Sequence, residues 1–158
     1  MLTLVFIPFG FGIGLYLNSQ RIDEPELPVE IKFDFAWVGD SETERRLVPC
    51  IEIRNTASTA FGKLSVGLNE QFYSTGNMNV AGNEVATIPL ESFIAHNGSI
   101  HFPVGSRPIG HVIVFGQLPS GARGVAEFVV EPENNATPTE WLAPAKSTKD
   151  RSGDISTR

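Results

Sequence analysis

From Val29 the chain alternates. Val29, Ile31, Phe33, Phe35 and Trp37 are apolar, with Glu30, Lys32, Asp34 and Ala36 between them. A period of two puts every apolar side chain on one face of an extended strand, so this stretch must cover a core while its other face meets water. A helix through the same residues would spread them around its circumference.

The pattern recurs down the chain. Leu47 to Arg54 places Pro49, Ile51 and Ile53 on one side and ends in the turn-forming Asn55-Thr56-Ala57-Ser58. Gly62 to Asn69 keeps Leu64, Val66 and Leu68 in register. Phe72, Tyr73, Met78 and Val80 are interrupted by Ser74, Gly76, Asn77 and Asn79, which leaves an edge strand or a loop. Asn83 to Leu90, Ser99 to Val104, Val112 to Leu118 and Gly124 to Glu131 are each largely apolar and bounded by turn-forming residues. About seven strands at this spacing, with no amphipathic helix between them, predict an all-β antiparallel sandwich over residues 29–131.

The ends of the chain differ from this middle. Residues 1–20, MLTLVFIPFGFGIGLYLNSQ, carry no charged side chain. About twenty such residues match a hydrocarbon core of about 30 Å as a helix, so an N-terminal transmembrane helix is expected here. No basic leader precedes the run and no small-residue cleavage site closes it, which favours a retained anchor over a signal peptide. Gly10 and Gly14 lie on one face of that helix, where missing side chains let another helix approach closely. With no ionisable residue inside it, the span offers nothing to ligate a cofactor or relay a proton.

Residues 21–28, RIDEPELP, read as a solvated, extended spacer. Residues 132–158 have balancing charges, three prolines and few apolar residues, the composition of an extended polar tail. Trp141 and Leu142 stand out in it, either as an anchor that docks on a neighbour or as a pair folded back on the sandwich.

Chemistry is sparse in this sequence. Phosphate-binding loops, nucleophile elbows, Cys-x-x-Cys and His-Glu-x-x-His patterns are all missing, so neither an enzyme nor a cofactor is expected. His96, His101 and His111 read as surface or strand-end residues, since His101 and His111 could face each other but lack a third ligand. The single Cys50 cannot form an internal disulfide and reads as a buried thiol in a strand. The connection Gly39 to Arg46 is charged but lacks the ligand order of a calcium loop. Asn97-Gly98 before Ser99 reads as a hairpin turn, although the triplet is also a glycosylation sequon. A net charge of −6 argues against nucleic acid as a partner.

The segments LVPCIEIRNTASTAFGKLSVGL and IGHVIVFGQLPSGARGVAEFVV resemble the immunoglobulin-like sandwich repeats of bacterial cell-surface proteins, the conserved-repeat and CARDB type. Asn55 with its small-residue turn and Leu118-Pro119-Ser120-Gly121 before the last strand occupy the places of that repeat's turns. The resemblance implies an immunoglobulin-like fold and a periplasmic or extracellular setting, and it supplies no active site. Arg21 and Lys32, the Lys and Arg beside the span, lean weakly the other way.

The resulting expectation is a non-enzymatic, single-span accessory subunit of a larger membrane protein complex, a bacterial photosynthetic or respiratory one among the plausible hosts. Its partners would be other membrane subunits and the lipid bilayer. The alternative is a surface-anchored adhesion module for carbohydrate or protein, with Phe72 and Tyr73 as its aromatic platform.

Overall fold

A computed structural model describes residues 24–131 and 140–145, apart from the side chains of residues 75–77. The expected span over residues 1–20, with Gly10 and Gly14, lies outside the described residues, as do residues 132–139 and 146–158 of the expected tail. Among the described residues no helix is long and apolar enough to cross a membrane.

The alternating segments form strands in two antiparallel sheets. β1 (Val29–Val38), β2 (Arg46–Asn55) and β5 (Val85–Pro89) make a three-stranded sheet in the order β1-β2-β5. β3 (Phe61–Leu68), β4 (Phe72–Val80), β6 (Ile94–Ala95), β7 (His111–Gln117) and β8 (Arg123–Val129) make a five-stranded sheet in the order β6-β4-β3-β7-β8. The apolar parity of each strand faces inward, and Ile31, Ile51, Ile53, Leu64, Val66, Val112, Val114 and Phe128 form the core between the sheets. The outer face of β1 and β2 carries a charge ladder instead. Arg54 stands opposite Glu30 and pairs with it at 2.5 Å, and Lys32 stands opposite Glu52 at 3.4 Å. Lys32 also binds Asp34, which holds the lysine pKa up and the aspartate pKa down.

Two expectations about strands change. Residues 72–80, undecided between strand and loop, form the nine-residue β4. Ser99 to Val104 is not a strand, because only His101 bridges to Ile94. Phe102 turns into the core, and Pro103 has no N–H with which to continue a ladder. The Asn97-Gly98 turn is present before it: Gly98 has φ +72° and donates to the Ala95 carbonyl at 2.7 Å.

The two sheets are joined at the end of β2 by one side chain. Asn55 is fully buried, and its amide donates to the carbonyls of Thr59 at 2.8 Å and Ala81 at 2.9 Å while its oxygen accepts from Ala57 N–H at 2.9 Å. Thr59 leads into β3 and Ala81 leaves β4, so a residue of one sheet holds both approaches to the other. The backbones are close here, since a Cβ on Gly82 would lie 2.2 Å from the Ser58 carbonyl oxygen.

Both described ends of the chain close the side where β1 and β8 are sheet edges. Residues 25–27, inside the expected solvated spacer, run parallel to β8: Leu27 N–H donates to Val125 O at 2.9 Å and Val125 N–H to Pro25 O at 3.0 Å. Leu27 is fully buried. It fills a slot left by Gly116 and Gly124, which are paired across β7 and β8, and a Cβ on Gly124 would come within 2.9 Å of the leucine. The folded domain therefore begins before Val29. At the other end Leu142 exchanges backbone hydrogen bonds with Ile31 at 2.7 and 3.1 Å, and Ala145 N–H reaches Glu127 O at 2.8 Å. Together these contacts cover edges that would otherwise offer free hydrogen-bonding groups.

Two substitutions test these joints. Leu27→Ala should lower the unfolding free energy in denaturant by roughly 2–5 kcal/mol, because the glycine slot cannot collapse onto the smaller side chain. Asn55→Ala removes the partner of three part-buried backbone groups, and a loss of about 1–3 kcal/mol is expected in the same measurement. A change below 1 kcal/mol in either would show the joint to be dispensable.

Candidate functional site

The outer face of the five-stranded sheet carries a groove of about 1050 Å³. Its position follows from irregularities in the two strands beneath it. Between the pairs Gly62↔Gln117 and Ser65↔Phe115, β3 advances three residues while β7 advances two. Between Val66↔Ser74 and Leu64↔Met78, β4 advances four residues while β3 advances two. Bulges of this kind bend a strand and re-aim its side chains.

Lys63 sits in the β3 bulge at φ +54°, a left-handed conformation uncommon for a side chain without local hydrogen-bonding groups. The bulge turns Lys63 into the groove lining. Register places two further polar residues in line with it, since Gly62 stands opposite Gln117 and Gln117 opposite Arg123. The row Lys63, Gln117, Arg123 therefore crosses three strands at one end of the groove. Arg123 is held by its neighbours: its guanidinium lies 4.1 Å from the Phe115 ring centroid, and Glu24 approaches it at 4.0 Å.

The floor is aromatic and apolar. Phe115 stands opposite Ser65, and the Tyr73 ring lies over Gly67, where a Cβ would be 3.1 Å from it. The Tyr73 hydroxyl donates to Glu70 O at 2.8 Å, which pins the ring flat, and His96 meets it edge-on at 6.1 Å. Ile94 and Ala95 of β6 form the far wall. Every charged side chain of the lining is cationic.

A second apolar surface lies at the end of the β1–β2 hairpin. The inward stripe of β1 outruns the opposite sheet, so Phe35 is 47% exposed and Trp37 is 68% exposed, with Leu47, the partner of Trp37, at 51%. The alternation continues past the point where a core exists to receive it.

The residues singled out in the sequence fall elsewhere. Trp141 lies on the outer face of the three-stranded sheet with its ring 4.0 Å from the Arg54 guanidinium, and Leu142 turns inward to pack against the core. Phe72 cannot serve as an aromatic platform, being 5% exposed and packed against Phe102 at 5.3 Å; Tyr73 alone of that pair reaches the surface. His101 and His111 are apart. Nδ1 of the first lies 2.9 Å from Glu91 O, and Nδ1 of the second lies 3.9 Å from the Glu70 carboxylate. Among the described residues no three His, Cys, Asp or Glu groups gather as a metal site. Cys50 is fully buried, and burial pushes its thiol pKa up to about 11.

Compared with known proteins, the chain matches no family model, no curated protein and no solved structure.

If the bulge holds Lys63 in an unfavourable conformation, Lys63→Gly should stabilise the fold by roughly 0.5–1 kcal/mol, while Lys63→Ala should not. Equal unfolding midpoints for the two variants would remove that strain.

Proposed function

We propose that this chain is a non-enzymatic, single-span accessory subunit of a larger membrane protein complex, with an immunoglobulin-like sandwich as its contact domain. The observation that carries the reading is the exposed apolar end of the β1–β2 hairpin. Phe35, Trp37 and Leu47 keep the parity of core residues yet face solvent, and contiguous apolar surface of this kind marks contact sites. Tryptophan is also prominent among the residues that dominate interface energetics.

Three further features support it. The uncharged run of residues 1–20 suits a membrane span, and Gly10 and Gly14 suit close approach of a second helix. The strand order, β1-β2-β5 against β4-β3-β7-β8, accords with an immunoglobulin-like or fibronectin-like sandwich, an architecture common in cell-surface domains. Leu118-Pro119-Ser120-Gly121 forms a tight turn between the last two strands, with Gly121 N–H donating to Leu118 O at 2.8 Å, in keeping with the turn of the bacterial surface repeats. A periplasmic or extracellular position of the sandwich follows from that likeness, and a bacterial photosynthetic or respiratory complex is one candidate host. With Trp141 seated on Arg54, the hairpin end takes over the role of contact surface.

The adhesion alternative rests on Tyr73 and Phe115, whose rings floor a groove with a polar row at its end. Binding of purified chain to a glycan array would favour it.

The decisive measurement is affinity purification of the tagged full-length chain from native membranes in mild detergent, followed by mass spectrometry. A fixed set of membrane proteins should co-elute, and Trp37→Ser with Leu47→Ser should deplete it several-fold. A chain that elutes alone as a stable monomer would overturn the reading.

A further inference from the structure

We infer that the groove on the outer face of the five-stranded sheet binds an extended, acidic segment of a partner polypeptide, with Lys63 and Arg123 as its carboxylate contacts. The inference extends the reading of the chain as an interaction subunit to a second face of the domain, distinct from the β1–β2 hairpin end.

Charge selects the occupant. The chain as a whole carries −6, yet the charged groups lining this groove, Lys63 and Arg123, are both cationic. Both stand ready before anything binds. Lys63 is aimed by a bulge that costs the backbone a left-handed residue, and Arg123 is stacked on Phe115 with Glu24 4.0 Å from one guanidinium nitrogen, a long, solvent-exposed contact that a closer partner carboxylate would replace. Gln117 stands between them in the row, opposite Arg123, with both a donor and an acceptor to offer a peptide backbone.

Shape selects an extended chain. The lining runs from His96, beyond β6, across to Arg123 on β8, which is the full width of the sheet. Four interstrand spacings of about 4.8 Å make roughly 19 Å, the length of about six extended residues. Such a segment alternates sides. Carboxylates two residues apart, roughly 7 Å, point to the sheet together and fit the reach of Lys63 and Arg123, and an apolar residue of the same parity further along settles between Phe115 and Tyr73.

The test uses the full-length chain in non-ionic detergent and a library of random twelve-residue peptides displayed on phage. Selected peptides should share two acidic residues at i and i+2 with an apolar residue of the same parity to one side of the pair. A synthetic, fluorescently labelled peptide of that consensus should bind in anisotropy titrations and should lose about tenfold or more in affinity to the variant carrying Lys63→Glu and Arg123→Glu. Lys63→Gln, a milder change at an exposed site, should lose several-fold, and Trp37→Ser with Leu47→Ser should lose nothing. Enrichment of basic peptides, no enrichment, or equal binding by the charge-reversed variant with its melting curve intact would each overturn the inference. Displacement of the peptide by equimolar laurate would do so as well, by assigning the groove to an anionic lipid. If native partners still co-purify with the charge-reversed variant while its peptide binding is also unchanged, the groove assignment fails and the accessory-subunit reading stands.

Discussion

The fold depends on the buried amide of Asn55. A sandwich of two sheets needs crossings between them, and every crossing brings backbone groups out of a ladder and into the interior, where an unpaired carbonyl or N–H costs on the order of 1–3 kcal/mol. Asn55 ends β2 in one sheet and satisfies groups on both the entry to β3 and the exit from β4 in the other. The backbone N–H of the same residue donates to Glu84 O at 2.9 Å, which draws the start of β5 into the joint. Asparagine suits the place because it has two donors and an acceptor on a short side chain; an aspartate would lack the donors and a leucine would lack both.

Around that joint the molecule separates into a stable interior and surfaces left incomplete. The core face of each strand is filled, and both described chain ends are used to cover the β1 and β8 edges. Against this economy, two surfaces stand out. The β1–β2 hairpin extends apolar residues beyond its own core, and the bulged β3–β4 pair turns a cation into an aromatic groove. Each departs from local regularity, and departures of this kind in a consistent fold are where contact sites are expected.

Much of the architecture was legible in the residues, because periodicity reports which face is buried. β1, β2, β7 and β8 follow from alternation alone. The segment Ser99 to Val104 misleads for the same reason: Ile100, Phe102 and Val104 alternate like a strand, but they follow a two-residue pairing and contain Pro103. Leu27 was hidden among prolines and acids, where a lone leucine carries no period. The groove was not legible as a site, since it is a row across strands rather than a run along one. A trace of it exists. Phe61 and Leu64 both pack into the core between the sheets although an odd number of residues apart, which a regular strand with one face on that core does not give, and that broken parity marks the bulge that aims Lys63.

The seating of Leu27 has a mechanical consequence. Residues 25–27 run parallel to β8 and bond to it on both sides of Val125, so tension applied through the N-terminal segment along the strand direction loads these hydrogen bonds in shear, together, rather than opening them one at a time. The leucine in its glycine slot adds a steric catch in the same place. Force reaching the sandwich at Pro25 to Leu27 therefore meets bonds that must break together.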